Sequence, residues 1–83
     1  MKNYVLKSSY RMRVLLAIGD GIMMPHKIAI KSDVGNNHIS ATLRQLREQG
    51  LVELINPEMP RGRLYRLTDE GKRILNEIKG DKL

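Results

Sequence analysis

Hydrophobic residues recur every three or four positions along much of this chain, and this spacing predicts four helices joined by short turns. Ser8 or Ser9 is placed to cap the first helix, which runs to about Ile18 and ends at the glycine-containing turn of residues 19–21. The second helix is expected to start at Pro25, because the missing amide hydrogen of proline costs nothing in a first helical turn.

A three-residue turn, Asp33-Val34-Gly35, is predicted between the second and third helices. Aspartate tolerates a left-handed backbone better than most residues, and glycine tolerates it best. The side chain of Val34 is expected to point back into the core. Asn36 and Asn37 follow as candidate N-caps, since a side-chain oxygen at that position accepts from free amides of the next helix.

The third helix is predicted over about residues 36–49. Its apolar face consists of three residues at helical spacing: Ile39, Leu43 and Leu46. Gly50 is expected to end the helix in a left-handed conformation. Leu51 then stands where a Schellman-type stop places an apolar contact against Leu46.

Two strands are predicted after this helix, over residues 51–55 and 64–67, joined by a loop. Tyr65 and Leu67 are expected to face inward, and Leu64 and Arg66 outward. Such a hairpin is marginal alone and must pack against the helices. The segment 22–24 suits a further, very short strand.

The last predicted helix begins after Thr68, a candidate cap, and has a buried stripe of Gly71, Ile74, Leu75 and Ile78. The 83 residues suit one domain, 1–83, with a small core. Residues 1–7 are interpreted as either a flexible arm or an early helical turn, and residues 80–83 as a frayed tail. The fold class is therefore mainly α with a small β-hairpin.

The composition favours an anionic partner. Fifteen Lys and Arg residues against nine Asp and Glu give a net charge of +6, which in a small domain most often indicates nucleic acid. The absence of cysteine excludes disulfides and thiolate metal sites. The longest apolar run, residues 14–18, is too short to cross a membrane, and no secretory signal is evident. We therefore expect a cytoplasmic, nucleoid-associated protein.

The polar face of the third helix is the candidate binding surface. It lacks a carboxylate until Glu48 and comprises Asn36, Asn37, His38, Ser40, Ala41, Arg44 and Arg47. Asparagine can bond adenine and arginine can bond guanine, in each case through two hydrogen bonds, while alanine can touch a thymine methyl group. The alternative interpretation is an ordinary solvated helix face.

Basic side chains also flank this helix in the sequence. Arg61 and Arg63 surround Gly62 at the predicted hairpin tip, where they could bond phosphates or enter a narrow minor groove. Lys27 and Lys31 lie on the outer side of the second helix, where they could contact phosphates. Arg66 either belongs to the same patch or shields an edge strand.

Three segments together resemble winged helix-turn-helix regulators of the MarR and ArsR type. They are IAIKSDVGNNHIS (28–40), LRQLREQGLVEL (43–54) and NPEMPRGRLYRLTDEGKRIL (56–75). The third segment is similar to small archaeal winged-helix regulators in particular, and the likeness covers roughly residues 25–78. The resemblance implies a three-helix core, a two- to three-stranded wing and a C-terminal helix. It also implies a homodimeric transcription regulator that binds double-stranded DNA.

The chain departs from these families in ways that limit what the resemblance implies. It has no Cys and no paired His of the kind that ArsR-type sensors use, and it lacks the long terminal helices through which MarR proteins dimerise. The effector and the dimer interface are therefore not carried over. The broad apolar surface of the first helix independently favours a homodimer.

No set of residues indicates catalysis, so we predict a non-enzyme without a metal or other cofactor. Three other functions compete with specific DNA binding. A non-specific architectural DNA binder would lack a preferred site. A protein-interaction module would present an apolar patch, for example around Leu15 and Leu16. RNA binding is poorly supported, because three tyrosines are too few for a stacking platform.

Overall fold

The computed structural model describes residues 1–80. In that range it contains five helices and two strands, in the order α1 (Lys2–Leu6), α2 (Ser9–Ile18), α3 (Pro25–Ser32), α4 (Asn36–Glu48), β1 (Val52–Leu54), β2 (Tyr65–Leu67) and α5 (Asp69–Gly80). The four predicted long helices and the hairpin are confirmed. The expected frayed tail falls mostly on residues 81–83, which lie outside the described residues. No helix among the described residues is long and apolar enough to cross a bilayer.

Of the two alternatives predicted for residues 1–7, the structure has the early helical turn, in the form of the short helix α1. Val5 is fully buried in the core. The Arg11 guanidinium lies 3.9 Å from the centre of the Tyr4 ring and donates to the Tyr4 carbonyl at 2.9 Å. Buried apolar area and a cation–π contact therefore hold this segment against α2.

Helix α2 is the centre of the core. Ser8 is its N-cap, since the Ser8 hydroxyl accepts from the Arg11 amide at 3.3 Å. Four of its residues are buried: Val14, Leu15, Ala17 and Ile18. The other helices and β2 cover it within the same chain. The apolar patch that a protein-interaction module would present around Leu15 and Leu16 is not found on α2, since Leu15 is fully buried and Leu16 packs against the core.

The turn between α3 and α4 has the predicted left-handed residue at Asp33, with φ 57° and ψ 36°. The Val34 amide donates back to the Ala29 carbonyl at 3.2 Å, and the Val34 side chain is buried as expected. Arg13 of α2 donates to the Asp33 carbonyl at 2.6 Å. The turn is therefore held both by its own backbone and by the core helix.

The prediction of Asn36 or Asn37 as the N-cap of α4 is wrong. Gly35 occupies that position in an extended conformation, and no side chain bonds the first free amides. Helix α4 thus begins one residue earlier than a capping asparagine would require. Both asparagine side chains lie within its first turn and are exposed to solvent.

Helix α4 ends as predicted, in a Schellman motif. Gly50 has φ 74°, its amide donates to the Arg47 carbonyl at 3.0 Å, and the Leu51 amide donates to the Leu46 carbonyl at 2.9 Å. Leu46 and Leu51 are both fully buried. This stop turns the chain directly from the helix into the hairpin.

The hairpin pairs β1 with β2 in antiparallel register, with Val52 opposite Leu67 and Leu54 opposite Tyr65. Tyr65 and Leu67 are buried, which confirms the predicted inward face. Met23 adds a single bridge on the other side of Tyr65, with backbone hydrogen bonds of 3.1 and 3.0 Å. The wing therefore has two strands, and the single residue Met23 takes the place of a third strand beside Tyr65.

A compact corner joins α5 to the end of α4. Thr68 caps α5 by accepting from the Gly71 amide at 3.0 Å, and its hydroxyl donates to the Gly50 carbonyl at 2.6 Å. The Thr68 amide donates to the Leu51 carbonyl at 3.1 Å. Gly71 approaches this backbone so closely that a Cβ there would lie 2.0 Å from the Leu51 carbonyl oxygen. A side chain at position 71 would therefore force the two segments apart.

We expect Gly71→Ala to destabilise the fold by about 1–3 kcal/mol, because the added methyl group overlaps backbone that has little freedom to move. Denaturant unfolding monitored by circular dichroism measures this change. Gly80→Ala in the same helix is the matched control, since a Cβ there meets nothing within 4 Å. Equal stability of Gly71→Ala and wild type would contradict this close approach.

Candidate nucleic-acid interface

The exposed side of α4 carries most of the predicted binding residues. Its buried side consists of Ile39, Thr42, Leu43 and Leu46. With 100° between successive residues, the opposite side is centred on Asn37 and Arg44 and flanked by Ser40 and Ala41. Asn37, Ser40 and Arg44 are exposed, and Ala41 is half-buried. The structure therefore presents these side chains together on one side of the helix.

His38 lies at the edge of this surface, towards α2. Its ring stacks on the Tyr10 ring, with 4.8 Å between centroids and a tilt of 31°. Two turns later, Gln45 accepts from the Arg11 side chain at 3.3 Å. These two contacts fasten α4 to α2 along one edge, so the orientation of the exposed face is set by the core.

The opposite edge of α4 forms a groove with the wing. The groove has a volume of about 300 Å³ and is lined by Pro25, Ser40, Leu43, Arg44, Arg47, Arg63 and Tyr65. Arg63 is separated from Arg47 in sequence by β1 and most of the wing loop, yet both border the same space. Three arginines and two hydroxyl-bearing residues thus border this groove, and no acidic residue is among the lining residues.

The wing loop presents its two arginines differently. Arg63 donates through Nε to the Met59 carbonyl at 3.3 Å, which directs it along the loop. Arg61 is exposed, with Gly62 next to it at φ 66°. The left-handed conformation at Gly62 provides the sharp bend predicted from the sequence.

The two lysines of α3 lie outside the groove. Lys27 and Lys31 are both exposed, one helical turn apart. Lys31 borders a separate shallow hollow with Arg13, Leu16, Ala17 and Ser32. These lysines therefore extend the basic surface along the helix that precedes α4.

Three acidic residues of the hairpin and α5, namely Glu53, Glu70 and Glu77, are paired with arginines away from this groove. Glu53 on β1 and Arg66 on β2 lie opposite one another and form an ion pair at 3.2 Å. Arg66 therefore lies over the hairpin and not in the basic patch of α4. Of the two predicted alternatives, the structure supports the shielding of a strand. Arg66 borders a hollow at the start of α5 and is not among the residues that line the α4 groove.

Helix α5 neutralises its own charges in the same way. Arg73 bonds both Glu70 and Glu77 on the exposed side of the helix. The hydrogen bond and the positive charge of Arg73 lower the pKa of the Glu70 carboxyl, and Glu70 raises the pKa of Arg73. By contrast, Arg44, Arg47 and Arg61 form no ion pair within the described chain. These three arginines thus contribute unpaired positive charge at α4 and the wing loop.

Two features at α4 were not predicted from the sequence. Thr42 lies on the buried side of the helix, where its hydroxyl donates to the His38 carbonyl at 2.9 Å, one turn back along α4. Tyr10 of α2 is 38% exposed, and its ring stacks on His38 at the edge of the exposed face. The position of Thr42 between apolar residues was a usable signal, whereas nothing local indicated the pairing of Tyr10 with His38.

Three solved structures share this arrangement. A MarR family transcriptional regulator from Silicibacter pomeroyi DSS has a TM-score of 0.78 and 26% identity over 94% of this chain. The chain has the MarR-like winged-helix fold. The regulator SPO1453 from Silicibacter pomeroyi DSS-3, also named as MarR family, has a TM-score of 0.74 and 23% identity over 96% of the chain. A double-substitution variant of ZitR from Lactococcus lactis has a TM-score of 0.76 and 23% identity over 88%.

This MarR-like winged helix spans just over half the length of those structures, matching 54%, 59% and 51% of them respectively. No protein-family model matches the chain, and no curated protein is significantly similar to it.

Proposed function

We propose that this winged helix is a transcription regulator that binds double-stranded DNA in a sequence-specific manner. The observation that carries the proposal is the groove in which Arg44 and Arg47 of α4 meet Arg63 of the wing. The polar lining of this groove is positively charged or neutral, and Glu53, Glu70 and Glu77 are paired with arginines outside it. Such a surface favours a polyanion.

The dimensions of α4 support an insertion into the major groove. Its 13 residues give a helix about 20 Å long and about 10–12 Å across, against a groove about 12 Å wide. The free amides at its N-terminus favour a phosphate, because no side chain caps them. The exposed face and the helix end can therefore contact bases and backbone at the same time.

The positions of the side chains suggest a division of roles. Asn37 and Arg44, at the centre of the exposed face, are proposed to read base edges, with Ala41 and Ser40 beside them. Residues at the margins are proposed to contact the backbone or the minor groove: Asn36, His38, Arg47, Arg61, Arg63, Lys27 and Lys31. Base contacts select the sequence, whereas backbone contacts supply affinity that any sequence shares.

A homodimer on a palindromic site is part of this proposal. Two copies of α4 would need to lie about 34 Å apart to enter successive major grooves on one face of the duplex. The apolar surface of α2 no longer supports the dimer, since the chain buries it internally. The dimer proposal rests on the resemblance to MarR-type regulators. Nucleoid association is proposed on the same basis, and no effector is proposed.

A salt series with random-sequence duplex DNA, followed by selection of preferred sites, tests the proposal. Steep salt dependence with an enriched palindrome is the expected result. Steep salt dependence without an enriched sequence would indicate an architectural binder. No binding at low salt would contradict DNA binding and favour a protein-interaction module. The most exposed large apolar side chain of the described residues, and a candidate contact for such a module, is Ile30 on α3 at 70% exposure.

Arg44→Ala is expected to cost about 1–3 kcal/mol in binding to the selected site and to relax the preference at one base pair, because it removes a bidentate base contact. Competition titrations with singly substituted sites measure both effects. Arg73→Ala is the matched control, since it removes the same charge from α5. Unchanged affinity and base preference in Arg44→Ala would show that α4 does not read DNA in this register.

Arg61→Ala is expected to weaken binding to selected and random duplexes by the same factor. The slope of log affinity against log salt concentration should fall by about 1, since one fewer phosphate is neutralised. Fluorescence anisotropy at four or more salt concentrations gives this slope. A loss confined to the selected sequence would instead assign Arg61 to base or groove-shape recognition.

A further inference from the structure

The wing loop is closed at its base by one side chain, that of Asn56. The Asn56 side-chain oxygen accepts from the Leu64 amide at 2.8 Å, and its side-chain nitrogen donates to the Gly62 carbonyl at 3.0 Å. The Asn56 carbonyl accepts from the Met59 amide at 3.0 Å. One half-buried residue thus bonds three points of the loop.

These bonds begin where the strand ladder ends. The Ile55 amide donates to the Leu64 carbonyl at 2.8 Å, which is the last backbone hydrogen bond between the two arms of the hairpin. The Leu64 amide then bonds the Asn56 side chain in place of a further rung. Pro57 follows Asn56 at the second position of the turn that closes on Met59, where its fixed φ favours the turn.

A second hydrogen bond connects this loop to Arg63. The Met59 carbonyl accepts from Arg63 Nε at 3.3 Å, so the turn held by Asn56 also holds the base of the guanidinium. Arg63 lines the same groove as Arg44 and Arg47. Repulsion among three like charges favours a free arginine turning towards solvent, and the hydrogen bonds of the loop oppose that movement.

We propose that Asn56 is a positioning residue for DNA binding, which orders the wing before contact so that Arg63 faces the groove beside α4. This inference rests on the proposed function. Binding to a flexible loop must offset the entropy of ordering it, and a loop that is already ordered avoids that cost. Asn56 acts through Arg63 and makes no DNA contact of its own.

Asn56→Ala is expected to weaken binding to duplex DNA about three- to tenfold, since one rotamer-rich side chain and its loop must then be ordered on binding. A double-mutant cycle identifies the route. In an Arg63→Ala background the Asn56 substitution should have little further effect, whereas in an Arg44→Ala background its effect should be retained in full. A general loss of fold would weaken binding in both backgrounds.

Hydrogen exchange provides a measurement that does not depend on DNA. The Leu64 amide should exchange faster in Asn56→Ala than in wild type, because its acceptor has been removed. It should stay protected in Asn56→Asp, which keeps the acceptor oxygen. The core amides, for example that of Leu51, should exchange at wild-type rates in both variants.

Two results would overturn the positioning role alone while wild type still binds DNA. They are wild-type affinity in Asn56→Ala, and full additivity of the Asn56 and Arg63 substitutions. Wild-type protein that binds no duplex DNA at low salt would overturn the proposed function, and with it the role of Asn56. Coupling to Arg63 together with faster exchange at Leu64 supports the proposal.

Discussion

The corner where α4, β1 and α5 meet determines the geometry of the candidate interface. The left-handed Gly50 ends the helix, Thr68 bonds its carbonyl, and the backbone of Gly71 lies directly against Leu51. Each of these contacts involves backbone atoms, which have much less freedom than surface side chains. The direction in which the hairpin leaves α4 is therefore constrained, and with it the width of the groove between α4 and the wing. The basic groove depends on this corner more than on any single arginine.

The core helix α2 fixes the other edge of the interface. Through Arg11 and Tyr10 it contacts Gln45 and His38 of α4, and through Arg13 it holds the carbonyl of Asp33 in the turn before α4. Helix α4 is thus attached along one edge and at both ends. The centre of its outer face remains open to solvent. Burial of apolar area stabilises the fold, and these polar contacts decide which side of α4 is left exposed.

The distribution of charge separates this exposed side from the rest of the surface. The net charge of +6 is not spread evenly, because Arg66 and Arg73 are paired with glutamates on the hairpin and α5. The arginines of α4 and the wing tip form no ion pair among the described residues. Ion pairs on exposed surfaces add little stability. Here they compensate the charges of Glu53, Glu70 and Glu77 locally, away from the groove between α4 and the wing.

Most of the secondary-structure elements could be predicted from the sequence, because the signals for them are local. Helical periodicity located α2 to α5, Gly50 and Leu51 predicted the end of α4, and Thr68 predicted the start of α5. Local pattern also indicated which polar residues α4 would expose. Tertiary structure alone decided that α1 packs as a helix, that Arg66 pairs with Glu53, and that Arg63 joins Arg44 and Arg47 in one groove. These outcomes depend on contacts between residues far apart in sequence, whose partners are chosen by the packing of the whole chain and leave no periodic signal.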